Sequence, residues 1–217
     1  MRFIDRLLQR LSQIVIVCAL AVTSACHFSP SRDQVDSADP VTSASARLPN
    51  PYMTNLPAVN AQAKVRFAKA EQAVNRGDWL QAEQDLIWLI EHHPGLSGPY
   101  VNLALVYGEL GRQSEQAAMF EQAIATNGNN IYAYNHYGVF LRQQGDFSGA
   151  LQRYKQALAI WPDYPEGHLN LAILYDLYRG KPALALPHYQ SYQALLEEPP
   201  RQLQGWIIDL QRRMSPE

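Results

Sequence analysis

Residues 131–162 read IYAYNHYGVFLRQQGDFSGALQRYKQALAIWP, and this stretch decides the fold. Two apolar-periodic segments flank Gly145-Asp146, and Pro162 closes the block. The same block recurs on both sides at a spacing of 34 residues. Small residues fall at Ala70, Ala104, Gly138 and Ala172. Leu103, Tyr137 and Leu171 precede the last three, and Tyr107, Leu141 and Tyr175 follow three positions on. Glycines repeat at Gly77, Gly111 and Gly145, with a fourth at Gly180 after one extra residue. A 34-residue period with a small residue in the first helix and a turn glycine predicts a helix–turn–helix solenoid. The glycines fit because an interhelical turn needs left-handed backbone angles.

Working outward, the period predicts an all-α array of about four units over 58–97, 98–130, 131–164 and 165–198. The extra residue of the fourth unit is assigned to its turn, Tyr178-Arg179-Gly180-Lys181-Pro182. Residues 199–217 form a capping helix and tail, with Leu203, Trp206, Ile207 and Leu210 in one apolar stripe. A solenoid needs such a helix to cover the open end of its core.

The N-terminus differs. Arg2, Arg6 and Arg10 precede the apolar run 14–22, and Thr23-Ser24-Ala25-Cys26 follows. This order predicts a secretory signal peptide over 1–25. The run is well short of the ~20 residues a membrane-spanning helix needs. With residues 1–25 removed, Cys26 is the one thiol left, so no intramolecular disulfide is available. Residues 26–57 are rich in Ser, Pro, Ala and Asp and predict a disordered tether. Within it, the stretch 48–53 is more apolar, and two readings stay open: docking on the first unit, or mobility.

Charge and motifs exclude several functions. The formal net charge is −2, and the chain beyond residue 25 keeps 15 basic and 19 acidic residues, a net of −4. Such a domain has no general attraction for phosphate backbones, so no nucleic-acid partner is expected. No Gly-rich phosphate loop is present. The stretches 95–98 and 145–149 lack the glycine spacing of a nucleophile elbow. His92 and His93 are adjacent, so on a helix they point ~100° apart and make a poor ligand pair. His27, His136, His168 and His188 are scattered. The expectation is no enzyme, no metal, no cofactor and no small-molecule substrate.

These blocks resemble tetratricopeptide repeats. The third unit carries the pattern most fully: Tyr134, Tyr137-Gly138, Leu141, Gly145-Asp146-Phe147, Ala150, Tyr154, Ala157 and Pro162. The second departs at Gln116 and Gly128, and the first at Arg66 and Lys69, where bulky apolar residues are expected. In this family the first helix of each unit lines a concave, peptide-binding face. The resemblance therefore implies a groove of Phe67, Glu71, Val101, Asn102, Leu105, Tyr132, Asn135, His136, Val139, Arg142, Leu169, Asn170 and Ile173. Amides at such positions bond an extended backbone while apolar residues grip side chains. A subgroup that grips acidic chaperone C-termini with basic residues is matched only at Asn102.

Ser24-Ala25-Cys26 resembles a bacterial lipobox, which implies acylation of Cys26 and cleavage before it. The alternative is a plain signal peptide with an incidental cysteine. His27 in place of Asp implies sorting to the outer membrane, facing the periplasm. Together these features resemble the tetratricopeptide lipoproteins that help type IV pilus secretins reach the outer membrane. They imply a scaffold for a protein or peptide partner in the periplasm. An adaptor for peptidoglycan hydrolases and an accessory of an energy-transducing or secretion complex are the alternatives.

Overall fold

The chain winds as alternating first and second helices, each pair closed by a glycine. The computed structural model describes residues 47–215, and from Pro49 onward they form one compact unit. The expected signal peptide, Cys26 and most of the tether lie outside the described residues. A four-residue helix, α1 (Pro51–Thr54), is followed by α2 (Ala61–Arg76) and α3 (Trp79–His92). Next come α4 (Ser97–Glu109), α5 (Gln113–Thr126), α6 (Ile131–Gln143) and α7 (Phe147–Ile160). Then α8 (Pro165–Ile173) continues through a π-helical turn, Leu174–Tyr178, before α9 (Pro182–Leu195) and α10 (Arg201–Met214). The all-α helix–turn–helix solenoid expected from the period is what forms. Among the described residues no helix is long and apolar enough to cross a membrane.

Local chemistry sets the helix ends. Gly77, Gly111, Gly145 and Gly180 all take positive φ, between 58° and 82°, where a Cβ would be strained. Asp78 and Asp146 follow two of these glycines and cap α3 and α7, their carboxylates accepting from the backbone N–H of Gln81 and Gly149.

The core runs down the array in shared compartments. Leu86, Leu89, Leu103, Val106 and Tyr107 join units one and two, while Val101, Phe120, Tyr137 and Phe140 join two and three. At the tightest point Gly138 faces the fully buried Tyr154. A Cβ at Gly138 would lie 2.5 Å from Tyr154 Cε1.

Two departures from the repeat pattern have compensations in space. Arg66 replaces a bulky apolar residue, but its guanidinium lies 5.0 Å over the Trp88 ring and pairs with Asp85, whose side chain is fully buried. An ion pair stacked on an indole thus fills an apolar position. Gln116 is large where a small residue is usual. Its flexible amide end lies over the exposed Gly108, where a Cβ would meet Gln116 Nε2 at 2.6 Å.

The structure corrects two expectations. The extra residue of the fourth unit is absorbed inside its first helix, as the π turn Leu174–Tyr178, and not in the turn after it. A helix takes up one inserted residue this way while its apolar face is kept on both sides. The tether also ends earlier than residue 57. Pro51–Thr54 is helical, and Tyr52 is only 4% exposed.

At the far end, α10 packs on α9 through Leu203, Ile207 and Leu210. Trp206 is 39% exposed and rests at the stripe's edge, its ring 6.0 Å from Tyr189. Arg213 bonds Asp176 of the π turn at 2.8 Å and ties the cap back to the fourth unit.

Candidate functional site

The first helices α2, α4, α6 and α8 carry the residues expected on the concave face. Their packing separates these residues into two groups. Phe67, Asn102, Leu105, Tyr132, Val139, Leu169 and Asn170 are half-buried, and Phe67, Leu105 and Tyr132 rest partly on the core compartments. Val101, Asn135, His136, Arg142 and Ile173 are buried. Glu71 is half-buried.

The buried group corrects the picture of Asn135 and Arg142 as exposed groove residues. Asn135 is 3% exposed, and its Oδ1 accepts from Asn170 Nδ2 at 3.0 Å, a bond between α6 and α8. Arg142 is 6% exposed, and its guanidinium lies 5.4 Å from the centre of the Tyr178 ring in the π turn. Val101 belongs to the second core compartment. Successive first helices lie side by side, so residues facing the middle of the groove also form the seam between units. Burial holds the His136 imidazole neutral, with its pKa lowered to about 4.

A second set of residues, at the N-terminal rim of this face, was not anticipated as a unit. Asn50 caps α1 by accepting from the Tyr52 backbone N–H at 3.0 Å, and Pro51 fixes the first turn. Asn50 Nδ2 donates to the Tyr132 hydroxyl at 3.1 Å. The Tyr52 ring meets Tyr132 edge-on, with centroids 5.7 Å apart and planes at 79°. Tyr132 in turn meets Tyr164 edge-on at 5.9 Å, and Tyr164 stacks with Trp161 at 5.7 Å. The Tyr52 hydroxyl lies beside the Ser97 side chain, and a Cβ added at Gly98 would stand 3.2 Å from it, closer than an ordinary contact. Burial raises the pKa values of Tyr52, Tyr132 and Tyr164, so the row keeps its phenol protons near neutral pH. The sequence held one sign of this, an Asn-Pro helix start inside an otherwise polar stretch.

The scattered histidines also resolve. His92 Nδ1 lies 2.9 Å from the Trp88 carbonyl. His168 and His188 come together, Nδ1 to Nδ1 at 3.0 Å. His168 Nε2 donates to the Pro162 carbonyl at 2.8 Å, so in the neutral ring Nδ1 accepts the proton of His188. Burial, His168 and Lys155 lower the His188 pKa to about 4. Among the described residues no group of three or more His, Cys, Asp or Glu could hold a metal ion.

Known proteins share this architecture. The sequence matches the tetratricopeptide repeat family over residues 98–130 and a second form of the TPR repeat over 138–176. Among solved structures, PilF of Pseudomonas aeruginosa is similar with a TM-score of 0.62 and 23% identity, covering 71% of each chain. A thermophilic TPR protein of Thermus thermophilus is similar with a TM-score of 0.58 and 21% identity, covering 68% of this chain and 80% of that one. An O-GlcNAc transferase of Thermobaculum terrenum matches with a TM-score of 0.53 and 26% identity, over 61% of this chain but only 26% of that one. The first two likenesses carry the fold alone. The fold is thus a tetratricopeptide-type α-solenoid, and residues 98–130 and 138–176 carry the matched repeats.

Proposed function

We propose that this repeat array is a non-enzymatic scaffold anchored by lipid at Cys26 to the outer membrane, where it assists assembly of an envelope complex of the pilus–secretin type. The observation that carries the scaffold reading is the concave face itself. Four first helices present Phe67, Leu105, Tyr132, Val139 and Leu169 with the amides Asn102 and Asn170, none of them fully buried. Apolar side chains interleaved with amides suit a peptide segment, bonding its backbone and packing its side chains. The anchor and the periplasmic setting rest on the basic–apolar–cysteine order of residues 1–26 and its resemblance to lipoprotein signals.

The test is capture from a detergent-solubilised envelope with the purified chain as bait. A secretin among the retained proteins supports the reading, whereas a wall hydrolase or a proton-channel subunit redirects it. A groove variant combining Asn102→Ala, Leu105→Ala, Val139→Ala and Leu169→Ala should lose the partner, because a few central residues commonly carry most of the binding energy. A control on the second helices, Gln122→Ala, Gln152→Ala and Gln190→Ala at exposed positions, should retain it. If the control loses the partner and the groove variant keeps it, the concave face is not the working surface.

A further inference from the structure

The rim of the concave face is already occupied by the chain itself, and the manner of occupation resembles a bound ligand more than a structural element. Of α1 only Tyr52 is buried, while Met53, Thr54 and Asn55 remain exposed. The turn is held by Tyr52 against Tyr132, Ser97 and Gly98, and by the Asn50 Nδ2 hydrogen bond to the Tyr132 hydroxyl. Residues 55–60 link α1 to α2, and of these only Leu56 and Val59 are even half-buried. The rim is nevertheless specific. Gly98 leaves the slot that the Tyr52 hydroxyl enters, and the edge of Tyr132 sets the angle of the incoming ring.

We propose that Ser97, Gly98 and Tyr132 form a receptor for an Asn-Pro-initiated turn bearing a tyrosine, and that the chain's own segment 49–55 occupies it as a tethered competitor. A partner protein that exposes a turn of the same chemistry engages the array by displacing this segment. The inference rests on the concave face being the working surface. Tethering makes the competition strong, because a short flexible linker holds a ligand at an effective concentration of order mM. A segment whose own affinity for the rim is tighter than about 100 μM then weakens any competing free peptide at least about ten-fold.

The probe is a fluorescein-labelled peptide with the sequence of residues 49–56, PNPYMTNL, titrated by fluorescence anisotropy into purified full-length chains. Tyr52→Ala should bind it saturably, and wild type at least ten-fold more weakly. Adding Gly98→Val to the Tyr52→Ala chain fills the slot and should abolish binding, with Tyr132→Ala as an independent second blocking change. Circular dichroism melts show that each variant is folded. Equal affinity for wild type and Tyr52→Ala overturns the competition, and absence of saturable binding to Tyr52→Ala overturns the receptor. Retained binding in folded variants carrying either blocking change overturns the location. Envelope capture separates this inference from the scaffold reading. A Tyr52→Ala chain that captures a partner but ignores the peptide sinks only the receptor, and the reverse result sinks only the scaffold.

Discussion

Replacing Gly138 with alanine isolates the contact on which close packing of the third unit depends. The added Cβ would lie 2.5, 2.8 and 3.0 Å from three ring atoms of Tyr154. Ordinary carbon contacts sit at ~3.5–4.0 Å, so the ring or the helix must shift by roughly 1 Å. Tyr154 is completely buried, so its ring has no solvent side to move into. Overpacking of this kind costs ~1–3 kcal/mol. The helix gains ~1 kcal/mol by exchanging glycine for alanine, which hides part of that cost. Gly108→Ala supplies the correction. It makes the same chemical change within α4, and there the Cβ meets only the flexible end of Gln116, on an exposed glycine. Gly108→Ala should be neutral or slightly stabilising. The difference between the two variants then reports packing alone. For a domain of this size ~1 kcal/mol moves Tm by ~2–4 °C, so Gly138→Ala should melt roughly 2–12 °C below Gly108→Ala. Tyr154→Leu in the Gly138→Ala background should cost less than the sum of the two single changes, because the clash is gone. A Gly138→Ala protein that melts at or above Gly108→Ala would refute the argument from close approach.

The remaining expectations concern the cap, pH and the anchor. Truncation after Pro199 removes Leu203, Ile207 and Leu210, each buried, and should destabilise the array by several kcal/mol, seen as a lower and broader melt. His136 and His188 both have folded pKa values lowered to about 4, below the ~6.5 of an unfolded histidine. Their contribution is therefore complete above pH ~6.5, is lost as pH falls from there toward about 4, and levels off below. His188→Gln should flatten part of a Tm–pH profile over that window, and an unchanged slope would count against a His188 pKa lowered by burial beside His168. Cys26→Ala should release the protein from the membrane fraction or leave an uncleaved precursor, since stable attachment takes more than one acyl chain. A variant that fractionates and migrates like wild type removes the lipid anchor.

Much of the fold is legible because a solenoid repeats its local rules. Each unit must place a small residue against an aromatic and turn through a glycine, so the requirement recurs every 34 residues. Where the pattern breaks, the compensation comes from the paired helix of the same unit. Gln116 lays its flexible end over Gly108 across the α4–α5 turn, and Arg66 is matched by Asp85 and Trp88 on the next helix. The candidate site was less legible. Helical periodicity states which face of α6 a residue occupies, but Tyr132, Asn135 and Arg142 on that one face meet different neighbours. Tyr132 receives the Asn50 side chain, Asn135 bonds Asn170, and Arg142 lies against Tyr178.

By itself, then, the sequence determined the helical period, the turn positions, the small-against-aromatic contacts and the apolar stripe of the cap. All of these are set by residues within one or two helices of each other. Only the tertiary structure decided which concave residues become seam, that the inserted residue is taken up as a π turn, and that Tyr52 seats on Ser97, Gly98 and Tyr132. The reason is physical. These outcomes depend on contacts between side chains far apart in the chain, whose energies are set by distance and angle in space and leave no period in the sequence.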